Sequence, residues 1–136
     1  MPRENIKDAD TFTAGANITN ALGRMVKRQT AAPYYAPATA GTEIPGGIIY
    51  VPGNERGAGI TQFTATIKAG ETVHIATDGV VNVKLGANLT PGVNITSDAN
   101  GAAVAATTGN YVWGHLLEGG VAGDWVPMKI RVFQLN

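Results

Sequence analysis

Apolar side chains in this chain recur every second residue in short runs, and Gly, Asn and Asp interrupt each run before it reaches helical length. Alternation at period two places one set of side chains on one face of a strand, whereas a helix face needs apolar residues three and four apart. Val73 and Ile75, then Val81, Val83 and Leu85, then Met128, Ile130 and Val132 carry the alternation most clearly. No window of helical length keeps a 3.6-residue period. The pattern predicts an all-β fold, a small β-barrel or sandwich of short strands.

Strands are expected at Gly23–Gln29, Ile48–Val51, Ile60–Ile67, Thr72–Ala76, Val81–Leu85, from Val93 and Ile95, at Ala102–Ala106, Tyr111–Leu117 and Val126–Leu135. Asp78-Gly79 reads as a two-residue hairpin turn between the fourth and fifth of these. Residues 1–12 are polar with little periodicity and read as an extended N-terminal arm, leaving 13–136 as a single β domain. The Pro- and Ala-rich stretch 30–45, with Tyr34 and Tyr35, reads as an extended loop. Residues 54–59, with Glu55 and Arg56, read as a glycine-rich contact loop or mobile hairpin.

The chain also contains an apparent repeat. Gly15-Ala16-Asn17-Ile18-Thr19 recurs 71 positions later as Gly86-Ala87-Asn88-Leu89-Thr90. Ile44–Ile49 parallels Val112–Leu117 at an offset of 68, which pairs Gly46 with Gly114. Two similar halves would then close one core, with the Asp78-Gly79 hairpin between them.

Composition removes several function classes. The chain has 136 residues with 10 basic and 10 acidic side chains, so it lacks the net positive charge with which nucleic-acid binders neutralise phosphate. It has no Cys, hence no disulfide, thiolate metal site or cysteine nucleophile. No apolar run is long enough to span a bilayer as a helix, and Met1–Asn5 lacks a signal-peptide core. His74 and His115 have no ligand-spaced companions, and they read as solvent-facing strand residues. Ser97, the only serine, sits in a Ser-Asp turn without a Gly-x-Ser-x-Gly elbow. Glu55 and Asp124 form no recognisable carboxylate pair. No cofactor, metal or catalytic residue is expected, and the chain reads as a non-enzyme.

From Gly86-Ala-Asn-Leu-Thr-Pro-Gly-Val-Asn-Ile-Thr-Ser-Asp-Ala-Asn-Gly101 through Ala102–Ala106, then Trp113-Gly-His-Leu-Leu-Glu118 and Gly123-Asp-Trp-Val126, the chain resembles the small head decoration, or capsid cement, proteins of tailed bacteriophages. Residues 14–28 resemble the opening of such proteins, and the likeness spans about 13–133. The arm, the Pro-Tyr loop and the 54–59 loop depart from it. The resemblance implies a structural virion protein on the outer capsid surface, made in the host cytoplasm. It would bind the major capsid protein, bridge its subunits, and form a homo-oligomer, with a trimer favoured. It implies no nucleic-acid or membrane partner.

Candidate contacts are Arg3 and Lys7 on the arm, the basic cluster Arg24, Lys27 and Arg28, Tyr34 and Tyr35, and Glu55 and Arg56. The alternative is a carbohydrate-binding or adhesion module of a phage tail, with Trp113, Trp125, Tyr34 and Tyr35 as the sugar platform. Trp113 and Trp125 otherwise serve as core or core-edge packing.

Overall fold

A computed structural model describes residues 4–50 and 66–136. Among these residues there is no helix, and nine strands form one curled antiparallel sheet. The strands are β1 (Asn5–Thr13), β2 (Met25–Arg28), β3 (Tyr35–Pro37), β4 (Pro45–Ile49), β5 (Thr72–Lys84), β6 (Asn94–Ser97), β7 (Ala103–Ala105), β8 (Tyr111–Leu116) and β9 (Trp125–Gln134). Their order is β3-β2-β4-β5-β9-β8-β6-β7, with β1 paired to β5 off this path. The expected loop at 54–59 and nearly all of the expected strand Ile60–Ile67 lie outside the described residues, but Ile67 bridges Ile18.

Several expectations change. The residues read as an arm form β1 from Asn5 onward, paired with β5 from Asn5↔Val80 to Thr13↔Thr72. Most of the side chains of β1 are exposed, so the segment has almost no apolar signature, and its order comes from backbone pairing with β5. The extended loop at 30–45 likewise contains the short strand β3, paired with β2.

Asp78-Gly79 is not a hairpin turn. It lies inside the 13-residue strand β5. Opposite it, Asp8 pairs with Asp78 and Ala9 with Ala76, so Thr77 is an extra residue, while Lys7 is extra on β1 between Ile6↔Gly79 and Asp8↔Asp78. A bulge of this kind shifts the inside-outside alternation by one position. Val73 and Ile75 accordingly serve one hydrophobic cluster and Val81 and Val83 the other. Gly79 sits there at φ 99°, and a Cβ on it would meet the Asn5 carbonyl oxygen and lie 2.7 Å from the Lys7 nitrogen.

The two clusters lie on opposite faces of β2 and β4. Met25 and Ile48 belong to the larger one, with Trp113, Leu116 and Met128, whereas Val26 and Ile49 belong to the smaller one, with Phe12, Ile18 and Ile75. Burial on both faces is why Ile48-Ile49 is continuously apolar instead of alternating. Trp113 joins the layers: its indole N–H donates to the Val26 carbonyl at 3.1 Å.

The repeat is structural. Ile18 and Ile67 exchange backbone hydrogen bonds at 2.8 and 2.9 Å, as Leu89 and Gly120 do at 3.0 Å. Asn17 Oδ1 accepts from the Ala69 N–H at 2.9 Å, and Asn88 Oδ1 from the Ala122 N–H at 3.0 Å. Glu71 and Asp124 each accept from a backbone N–H three residues earlier, in the turns that open β5 and β9. Gly23 N–H donates to Ile49 O as Gly92 N–H donates to Leu116 O.

The halves are thus β3-β2-β4 against β5 and β7-β6-β8 against β9, with β5 closing the first and opening the second. The hydrogen bonds also correct the alignment by one residue. Ile49 corresponds to Leu116, so Gly47 and not Gly46 is the counterpart of Gly114. At both glycines a Cβ would collide with a carbonyl of the next strand, Ala76 O and Lys129 O respectively.

Candidate functional site

Of the residues expected to make contacts, most of the described ones fall into three places. Arg3, Glu55 and Arg56 lie outside the described residues. Lys7 is exposed at the β1 bulge.

The first place is the surface of β1, β2 and β3. Tyr35 Oη donates to Asp10 Oδ2 at 2.8 Å, and the Tyr35 ring leans on Phe12 at 5.6 Å between centroids. The hydrogen bond from Tyr35 and that from the Thr11 N–H hold the Asp10 carboxyl below its usual range, with Arg28 adding a smaller attraction. The same bond to Asp10, then burial, pushes the Tyr35 phenol up. Beside this pair lies a groove of about 230 Å³ bordered by Phe12, Gly15, Ile18, Pro33 and Pro37. Tyr34 does not line the groove; it is 57% exposed, with φ 74°.

The second place is the turn after β3. Lys27 forms an ion pair with Glu43 at 2.8 Å, and Glu43 also accepts from the N–H groups of Thr39 at 2.6 Å and Ala40 at 3.0 Å. Burial alone would raise the Glu43 pKa; the Lys27 bond and the two backbone donors outweigh it and hold the carboxyl low. Lys27 on β2 is therefore occupied by the turn after β3, and the three basic residues read together from sequence do not act as a unit. Its three members face different partners.

Arg24 belongs to the third place, a cleft of about 490 Å³ whose walls come from both halves. Thr19, Asn20 and Arg24 come from the first half. Lys84 ends the shared strand and Gly86 follows it, and Asp98, Asn100 and Gly101 form the β6–β7 turn. The Met25 N–H donates to the Gly101 carbonyl at 2.8 Å, clamping the turn onto the first half. Lys84 and Asp98 were missed as candidates. Neither belongs to a charge cluster in the sequence, and only long-range pairing brings them to Arg24.

The remaining chemistry does not assemble. Ser97 is buried and its hydroxyl donates to the Asp98 carbonyl at 2.8 Å, a turn contact. His74 is half-buried and packs against Tyr50 with an edge-on ring contact, not the solvent-facing residue expected, and His115 is also half-buried. Among the described residues, no three His, Asp or Glu side chains group as a metal site. Trp113 is 1% exposed and cannot stack on a sugar. Trp125 donates its indole N–H to Leu22 O at 3.0 Å and carries Lys84 over its ring, so the proposed aromatic platform is not formed.

Comparison with known proteins identifies the family. A family model described as structural cement protein (E217 gp24/Pam3 gp6) matches residues 1–131. The chain belongs to this phage cement protein family. Comparison with curated proteins gives no match. Among solved structures, the head fiber gp8.5 N base of bacteriophage phi29 is similar, with a TM-score of 0.62 at 19% identity over 95% of this chain and 98% of that one. At that identity the likeness speaks to the fold. The family is one of structural phage proteins, not of enzymes, and places this cement protein with the phage head.

Proposed function

We propose that this cement protein docks on the outer surface of the assembled capsid after synthesis in the host cytoplasm, and that it bridges neighbouring major capsid protein subunits. The match to the structural cement family over residues 1–131 carries the reading. Tyr34, Ile44, Val121 and Val132 are large apolar side chains left exposed, which a docked subunit could cover. A homo-oligomer, with a trimer favoured, is the form in which one chain reaches several capsid subunits at once, since linked contacts raise overall avidity without new chemistry.

The test is co-sedimentation of the purified protein with capsids stripped of it, read as copies bound per particle. Saturation at a simple multiple of the lattice positions, with capsids that then withstand heating better, is the expected result. A folded protein that stays in the supernatant overturns the reading.

A further inference from the structure

We propose that the cleft between the two halves receives a carboxylate side chain presented by a capsid subunit, held by Arg24 and Lys84. This rests on the capsid-binding reading above and names the chemistry of one contact.

Arg24 is the central observation. Its Nη1 donates to the Thr19 carbonyl at 3.0 Å, yet its Nε is sealed from solvent and has no hydrogen-bond partner among the described residues. A guanidinium has five N–H donors in a rigid fork, and leaving a charged donor buried and unpaired is costly. The position is built, not incidental. Gly101 presses against the side chain so closely that a Cβ there would lie 2.5 Å from Arg24 Cγ, and the Met25–Gly101 hydrogen bond holds that approach. Burial accordingly pushes the Arg24 pKa down, and Asp98 offsets this only in part.

Asp98 is near enough to attract Arg24 but makes no ion pair with it. Its Oδ1 is already taken by the N–H groups of Asn100 at 2.8 Å and Ala102 at 2.9 Å. Its Oδ2 lies over Gly86, 2.6 Å from where a Cβ would stand. Asp98 is thus turned into its own turn. Lys84 is the second cation at the cleft, its Nζ 5.2 Å from the centre of the Trp125 ring. Two cations against one internally hydrogen-bonded carboxylate leave a positive excess, in a partly desolvated site where charge complementarity counts for more than on an open surface. The repeat supplies the contrast: the counterparts of Arg24, Lys84 and Asp98 are Val93, Thr13 and Gln29, all uncharged, so the fold does not require these charges. A Glu or Asp side chain entering the cleft would accept from the Nη groups of the guanidinium, since Nε is sealed, and would neutralise the positive excess, which a neutral or basic side chain cannot do.

Two measurements test this on the full chain. In capsid co-sedimentation, Arg24→Gln should weaken binding by about tenfold or more and Lys84→Gln by about threefold, while Lys68→Gln, outside the cleft, should leave it unchanged. Lys84→Gln carries the test if Arg24→Gln fails to melt cooperatively. Wild-type affinity unchanged by the folded cleft variants overturns the proposal while leaving capsid binding intact. If the wild type itself does not sediment, the capsid reading fails, and the second measurement decides the cleft alone. It is an NMR titration of the free protein with acetyl-Gly-Glu-Gly-amide against its Gln analogue. Saturable shifts at the Arg24 Nε–H and Trp125 indole N–H with the Glu peptide only are expected. No shifts, or equal shifts with the Gln peptide, overturn the proposal.

Discussion

Replacing Gly79 by Ala separates two meanings of one dipeptide. In a hairpin, Ala at that position would suffer only the conformational cost of a positive φ, roughly 1–2 kcal/mol. In the bulge observed, the added methyl also meets β1: the Asn5 carbonyl oxygen, the Lys7 nitrogen at 2.7 Å and Ile6 Cα at 3.1 Å. These are backbone atoms and cannot rotate away. Strand β1 must lift from β5 at that end and give up one or two ladder hydrogen bonds, each contributing about 1 kcal/mol. The expected loss is about 2–4 kcal/mol in all, or a Tm lower by roughly 8–16 °C for a domain of this size.

Gly70→Ala is the control, because Gly70 has φ 90° but nothing within 4 Å of a Cβ, so it should show the conformational part alone. Thermal and urea melts measure both. Hydrogen exchange should accelerate in β1 for Gly79→Ala and not for Gly70→Ala. Equal destabilisation by the two variants, with β1 exchange unchanged, would refute the bulge and the pairing of β1 with it.

Other outcomes follow from the same structure. Trp113→Phe should cost about 2–3 kcal/mol in denaturant melts, since it removes the buried indole hydrogen bond to the Val26 carbonyl as well as opening a void, and Trp113→Ala about 3–5 kcal/mol. Glu43 has a folded pKa below its ordinary 4.5, so its stabilisation is complete above that value and is lost as pH falls through the folded pKa; Glu43→Gln should cost roughly 1 kcal/mol at neutral pH and flatten the decline of Tm toward pH 3. Tyr35→Phe should let the Asp10 carboxyl titrate higher by NMR with little change in Tm, and in the wild type the Tyr35 phenol should ionise above its ordinary 10.0 in an ultraviolet titration.

Much of the architecture was legible because it rests on local chemistry. Val73 and Ile75, and separately Val81 and Val83, share faces as their alternation demands, and the strands near Met25, Asn94, Ala103, Tyr111 and Trp125 stand where turn residues bound them. The Gly-Ala-Asn repeat was readable because each Asn caps an equivalent turn, a role few side chains can fill. The site was less legible. Lys27 and Arg28 are neighbours in sequence, but Lys27 pairs with Glu43 while Arg28 lies toward Asp10 and Tyr35.

By itself, then, the sequence determined the strand period, most of the turn positions though not the role of Asp78-Gly79, the two-fold repetition and the family. Tertiary structure decided what no local pattern encodes. Asp-Gly permits a positive φ, and whether that becomes a turn or a bulge depends on a strand some 70 residues away in the chain. Polar β1 becomes a strand because backbone hydrogen bonding is indifferent to side-chain polarity. Arg24 leaves the basic cluster for the cleft because the Gly101 turn of the other half closes over it, a contact made only when the two halves fold against each other.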